Sequence, residues 1–195
     1  MDQFRIFFRL GLQHILDVYR IEAILFLIAL TVVFLIRDWR QVLLLVLFFT
    51  IGYTLTYYLA IYDLVRLDQR PVNFLRYLTV FITSVSNVLR KKDAFHIKGN
   101  LQRNFFLAVI FGMVYGLSFA DYLQNMVEGV KPLAEPLLGF NLGIEAGLLI
   151  VVISWLLISF IFISLVGINR RDWVLVISSG IAGASLTLLF EAKFW

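Results

Sequence analysis

The sequence has no cysteine and few residues of the kinds that usually carry chemistry. Its 195 residues include two histidines and three prolines, and only 15% of the side chains are charged. The lack of cysteine excludes disulfide bonds, thiolate metal sites and thiol nucleophiles. The GxSxG, phosphate-binding glycine-loop and HExxH patterns are also missing from the sequence. We therefore expect a protein that is not an enzyme.

Apolar residues, in contrast, are abundant and arrive in blocks. They make up 61% of the chain, and the mean hydropathy is +0.90. A water-soluble core of this length cannot bury so much apolar surface, so lipid must be the solvent for much of it. We predict one all-α, polytopic membrane domain over residues 1–195, with six transmembrane helices. The predicted spans are about 21–36, 42–62, 71–89, 105–122, 137–168 and 173–190.

Residues 1–18 predict an additional amphipathic helix before the first span. Polar side chains recur every three to four residues along it, at Asp2, Arg5, Arg9, Gln13 and Asp17. The pattern favours a helix that lies in the membrane interface or across the mouth of the bundle. The simpler interpretation is that this helix only anchors the protein to the membrane surface.

The charges predict an orientation in the membrane. The net charge of +4 is modest, and the basic residues of the loops concentrate in the first, third and fifth connections. The positive-inside rule then places both termini outside the cytoplasm of a bacterial inner membrane. The expected partners are the lipid bilayer and possible further membrane subunits, with no nucleic acid.

The fifth span contains an ionisable side chain at membrane depth. Glu145 follows Asn141 by one helical turn, and Gly143 and Gly147 flank it. A charge at the bilayer centre costs about 2.5–3.5 kcal/mol on insertion scales, so it needs a reason. Glu145 is either a cation ligand or proton carrier, or a hydrogen-bonded carboxyl that holds helices together. The glycines predict close helix packing.

Two other spans combine glycine with tyrosine. Gly112 and Gly116 form a GxxxG spacing around Tyr115, and Tyr53 follows a glycine in span two. The GxxxG spacing favours helix packing. We include both tyrosines in a candidate polar or ion site with His14, Glu22, Asn141 and Glu145.

The third span has a polar stripe at helical spacing. Its members are Thr79, Thr83, Ser86 and Asn87. The stripe either lines a path or bonds to neighbouring backbone, and the second is the commoner role of these side chains. Arg76 lies near the end of the span, where we expect it to snorkel towards the interface.

Four segments together resemble the HupE/UreJ family. This family comprises small bacterial membrane proteins regarded as nickel or cobalt permeases and as accessory proteins of hydrogenase and urease systems. The segments are 11–17 followed by 24–27, then 49–54, 111–119 and 140–145. The resemblance covers most of the chain and implies the same helical fold.

The departures from the family pattern fall at its chemical positions. The family has histidine where this chain has Tyr53 and Tyr115, and an Asp-His pair where this chain has Glu22 and Ala23. His14 and Glu145 keep the family's residue type. Imidazole suits nickel and cobalt, whereas a neutral phenol is a poor ligand. We therefore predict a retained fold with a degenerate metal site and no cofactor.

Two functions follow from the resemblance and its departures. The first is a non-catalytic subunit or assembly partner of a membrane complex. The alternative is a divalent-cation permease that uses the residual polar residues. In that case His14, Glu22, Asn141 and Glu145 hold a harder cation, mainly through oxygen ligands.

Overall fold

The computed structural model describes residues 2–17, 21–62, 64, 68–90, 101–127 and 134–192. Within these ranges the regular structure is entirely helical, as the all-α prediction requires. The α-helices of these ranges are α1 (Asp2–Leu16), α2 (Ile21–Thr31), α3 (Trp39–Ile61), α4 (Gln69–Val88), α5 (Leu101–Val127), α6 (Ala134–Phe160) and α7 (Arg170–Glu191).

Three segments of the described chain are long and apolar enough to cross a membrane. They are Ile36–Ile61, Ala134–Leu165 and Arg170–Glu191. Two shorter apolar helical segments are Ile21–Thr31 and Phe105–Ala120. At 1.5 Å per residue, the 11 residues of α2 extend only about 16 Å, against a hydrocarbon core of about 30 Å. The segment predicted as the first span is thus helical only to Thr31 and too short to cross by itself.

Side-chain hydrogen bonds satisfy backbone carbonyl groups near the end of α2. The β-branched residues Thr31, Val32 and Val33 disfavour the helix there, and the Thr31 hydroxyl donates back to the Leu27 carbonyl at 2.6 Å. Asn87 Nδ2 donates to the Ala29 carbonyl at 2.6 Å. A buried irregular backbone away from water needs such partners.

Glycines bring α3 and α5 into backbone contact. A Cβ on Gly112 would overlap the Phe49 carbonyl, and one on Gly116 would overlap the Tyr53 carbonyl. Gly52 meets the Val109 carbonyl in the same way. The GxxxG pair therefore lies at the closest approach of these two helices, which run parallel because later residues of α3 meet later residues of α5.

Glycines also bring α1 into contact with α6, which corrects the predicted position of α1. A Cβ on Gly139 would overlap the Phe4 carbonyl, and one on Gly143 the Phe8 carbonyl. Gly147 lies against the side chain of Ile15. The first helix therefore runs parallel to α6 along its first half, rather than across the mouth of the bundle. Glycines at four-residue spacing make this possible because they leave no side chain between the two backbones.

The contacts also give the direction of α2. It is antiparallel to α5, because the Glu22 carbonyl lies against Tyr115 and the Phe26 ring against Phe111. In turn α6 is antiparallel to α3, since Tyr57 stacks on Phe140 whereas Thr50 bonds to Glu145. With α3 parallel to α5 and α1 parallel to α6, helices α1 and α2 point the same way.

The far end of α6 departs from ideal helix. A π-helical turn over Ile161–Leu165 follows α6, and Gly167 adopts a φ of 82° at the reversal into α7. Asn169 caps α7 by accepting from the Arg171 backbone N–H at 2.9 Å. Gly139, Gly143 and Gly147 contact α1 near the start of α6, so this irregular turn lies at the opposite end of the helix from them.

Candidate polar site within the helix bundle

The candidate residues named from the sequence lie in three separate clusters. Glu22 and Tyr115 belong to one, Tyr53, Asn141 and Glu145 to the second, and His14 to a third, which consists of aromatic rings. The three clusters are built on different helices and have different chemistry.

The first cluster is an ion pair buried between α2, α4 and α5. The Arg76 guanidinium lies 3.2 Å from the Glu22 carboxylate, and the two side chains are 8% and 9% exposed. Arg76 also donates to Ser118 Oγ at 2.8 Å and to Asn73 Oδ1 at 2.9 Å. Tyr115 donates to the Glu22 backbone carbonyl at 3.4 Å. The guanidinium thus takes the place that a bound cation would have beside this carboxylate.

Arg76 was wrongly expected to snorkel towards the interface. It is buried because the carboxylate that compensates its charge lies on α2, inside the bundle. A buried charge needs such a partner, and removing one member of a buried pair typically costs about 3–5 kcal/mol. Sequence reasoning named Glu22 but missed its pairing with Arg76, since nothing local in either segment indicates the other.

The second cluster joins α3 to α6 through oxygen atoms. Thr50 donates to Glu145 Oε2 at 2.5 Å, and the Tyr53 hydroxyl lies 3.4 Å from the same oxygen. Thr54 donates to Asn141 Oδ1 at 3.3 Å. Within the described residues the Glu145 carboxylate thus has hydroxyl partners but no cationic one. The sequence analysis did not include Thr50 and Thr54 in the candidate site, although they lie one turn apart on the face that contains Tyr53.

The third position is an aromatic enclosure around His14. The imidazole ring centre is 4.2 Å from the Tyr122 ring, 5.3 Å from Phe119 and 6.0 Å from Phe140. His14 is 5% exposed, so the rings separate it from solvent.

Aromatic rings also fill the space between the clusters. Tyr53 contacts Phe119 with ring centres 5.4 Å apart, and Phe49 contacts Tyr115 at 5.6 Å. No group of three or more His, Asp or Glu side chains among the described residues could hold a metal ion. The structure therefore does not bring His14, Glu22 and Glu145 together as one ligand set.

The polar stripe of α4 bonds mainly to backbone. Thr79 donates to the Arg76 carbonyl and Thr83 to the Thr79 carbonyl, each at 2.7 Å, and Asn87 reaches α2. Ser86 is exposed. Of the two interpretations offered, backbone bonding describes Thr79, Thr83 and Asn87, and none of the three lies in the cavities described below.

Two cavities lie beside these clusters. One is an open groove of about 590 Å³ along α3, whose lining includes Thr50, Thr54 and Asn141. The other, of about 350 Å³, is lined by Arg70, Asn73, Tyr77, Glu191 and Ala192. It brings the start of α4 and the end of α7 to the same end of the bundle.

These features define a helical membrane protein with glycine-mediated packing and small polar clusters in its interior. Residues 1–193 match the family described as HupE / UreJ protein. The chain therefore belongs to the HupE/UreJ family, which confirms the resemblance seen in the sequence. No curated protein and no solved structure matches it.

Proposed function

We propose that this family member is a non-catalytic membrane subunit or assembly partner that keeps the family fold without transition-metal coordination. The main support is the Arg76–Glu22 pair, because a tethered guanidinium repels any cation that approaches the carboxylate. Tyrosines in place of two family histidines point the same way. Their rings are packed into the aromatic interior, where Tyr53 and Tyr115 are fully buried.

We further infer that the chain crosses the bacterial inner membrane six times. In this arrangement α1 and α2 form one interrupted crossing, and α3 to α7 form five more. The shared direction of α1 and α2 supports this, as does the position of α1 beside the first half of α6. An even number of crossings puts both termini on one side, and the basic loops favour the non-cytoplasmic side.

The outer face of α7 supports the subunit role. Gly180 and Gly183 have open space where a Cβ would stand, whereas the described glycines inside α1, α3, α5 and α6 contact other helices. Ser179 and Ala184 beside them are also exposed and small. Faces of this composition let a transmembrane helix of another protein approach closely. The expected partner contact is therefore a helix with small residues of its own.

Affinity capture of the full chain in mild detergent, followed by mass spectrometry, tests this proposal. We expect co-purifying membrane proteins that Gly183→Leu removes, because a leucine side chain would hold the partner helix away. Ser154→Leu, a similar enlargement at an exposed position of α6, is the matched control and should leave the complex intact. Capture of this chain alone, or equal loss in both variants, would count against a subunit role.

The alternative, a divalent-cation permease, rests on one specific observation. Glu145 has only hydroxyl partners among the described residues and lies beside an open groove. Oxygen ligands suit harder cations. Nickel and cobalt accumulation should then fall in cells that carry Glu145→Gln or His14→Ala instead of the native chain. Unchanged accumulation in both variants would remove this alternative.

A further inference from the structure

The groove along α3 opens sideways into the region of the bundle that faces lipid. Ile51 and Leu55, both in its lining, are 50% and 52% exposed. Its volume of about 590 Å³ lies within the range of clefts that hold small molecules, about 300–1,000 Å³. A ligand would therefore enter from the bilayer, and it must itself be soluble in lipid.

One wall of the groove carries a line of hydroxyl groups. Thr50, Thr54, Tyr58 and Tyr62 follow one another at four-residue spacing on α3 and its C-terminal cap, and all of them line the groove. Side chains four apart share one face of a helix. The groove thus runs from the exposed Tyr62 at the end of α3 to Thr50 near the middle of the bundle.

At the deep end of the groove, the side-chain amide of Asn141 is a hydrogen-bond donor without a partner among the described residues. Thr50 donates to Glu145, and Thr54 donates to Asn141 Oδ1. The Asn141 side-chain N–H₂ has no partner among the described residues, and an amide N–H can only donate. In hydrocarbon an unsatisfied donor is costly, so the complementary ligand atom is an acceptor such as a carbonyl oxygen.

The depth of this donor selects the class of lipid. Thr54, which bonds to Asn141, precedes Tyr62 by eight residues and lies roughly 12 Å along the helix axis from it. The ester carbonyls of a phospholipid stay in the interfacial layer, outside the hydrocarbon core of about 30 Å. A phospholipid in the groove would therefore leave only methylene groups against Asn141.

We propose that the groove binds a neutral, membrane-soluble lipid with a carbonyl-bearing ring head, of the isoprenoid-quinone type. The head carbonyl accepts from Asn141, and the apolar tail lies along Ile51, Leu55 and Leu59. The site differs from any cation site at Glu145, because it uses the Asn141 donor and the groove wall rather than the carboxylate.

The test measures equilibrium binding of decylubiquinone to the purified full chain in lipid nanodiscs. We expect saturable binding near one molecule per chain. Leu55→Trp should abolish it by filling the groove. Leu47→Trp is the matched control and should leave binding unchanged, since Leu47 is similarly exposed (49%) on the same helix but is not in the lining. Asn141→Leu should weaken binding about threefold to tenfold by removing one hydrogen bond, and Asn141→Gln should restore part of it.

Several results would overturn the proposal. They are the absence of saturable binding, equal effects of Leu55→Trp and Leu47→Trp, and equal binding of decylbenzene, which has the same tail but no carbonyl. A different outcome is that phospholipid co-purifies with the native chain but not with Leu55→Trp, and that decylubiquinone does not bind. That outcome would assign the groove to an acyl chain instead. Because Leu55 lies on the surface, its variant stays informative even if Asn141→Leu fails to fold.

Discussion

Glu22 and Glu145, two carboxylates in the described part of the bundle, have different kinds of partner. Glu22 has a guanidinium at 3.2 Å, whereas Glu145 has threonine and tyrosine hydroxyls. The first arrangement fixes a charge in place by pairing it. The second surrounds the carboxyl with hydroxyl groups, which carry no formal charge. We therefore propose that Glu22 has a structural role, and that a cation-binding role, if the chain has one, involves Glu145.

Of the substitutions that test this comparison, removal of Arg76 should cause the largest loss of stability. Arg76→Met leaves Glu22 buried without its cation, and we expect a loss of about 3–5 kcal/mol in the free energy of unfolding. Thermal unfolding in detergent, followed by circular dichroism, measures it. The double variant Arg76→Met with Glu22→Leu should recover most of the loss. A single variant as stable as the native chain would show that the pair is not structural.

The next largest effect should come from the glycines at helix contacts. Gly112→Ala places a methyl group on the Phe49 carbonyl, so α3 and α5 must separate. We expect a loss of about 1–3 kcal/mol in the free energy of unfolding, as for other overpacked sites. Gly180→Ala, at an open position of α7, should cause no loss and is the control. Equal stability of the two variants would contradict the assigned helix contact.

A smaller effect is expected where Asn87 supports the end of α2. Asn87→Leu removes the hydrogen bond to the Ala29 carbonyl and leaves that carbonyl buried. The expected loss in the free energy of unfolding is about 1–2 kcal/mol. Hydrogen exchange should rise in α2 more than in α6. Uniform exchange across both helices would show that Asn87 does not support α2 specifically.

Replacing Glu145 by glutamine should have the smallest effect on stability, and the same substitution of Glu22 provides a direct comparison. In Glu145→Gln the amide oxygen still accepts from Thr50, so we expect a change below about 1 kcal/mol in the free energy of unfolding. Glu22→Gln should cost more, because Arg76 then lacks its counter-charge. Side-by-side thermal unfolding compares the two. A larger loss for Glu145→Gln would reverse the assignment of the two roles.

Much of the fold could be predicted because it depends on local properties. Hydropathy and length placed the third, fourth and seventh helices within a few residues of their observed bounds. The observed α5 extends further at both ends than predicted, and α6 ends at Phe160, before the predicted end near residue 168. Glycine spacing indicated where helices pack, since a missing side chain permits backbone contact wherever it occurs. The family match also follows from sequence alone.

The candidate site was predicted less completely. Its residues were chosen by type, and the sequence analysis assigned His14, Glu22 and Glu145 to one possible ligand set. Their separation depends on which helices are neighbours, and on the rings of Tyr53 and Tyr115 that occupy the space between them. Neither can be derived from spacing within one segment.

The sequence by itself determined an all-helical membrane protein of the HupE/UreJ family with few polar groups in its apolar segments, because hydropathy and periodicity are properties of each segment. Only the tertiary structure decided that α1 packs lengthwise on α6, that Arg76 pairs with Glu22 and that Glu145 meets Thr50. Each of these contacts joins segments far apart in the chain, so its energy depends on a neighbour that local sequence does not specify.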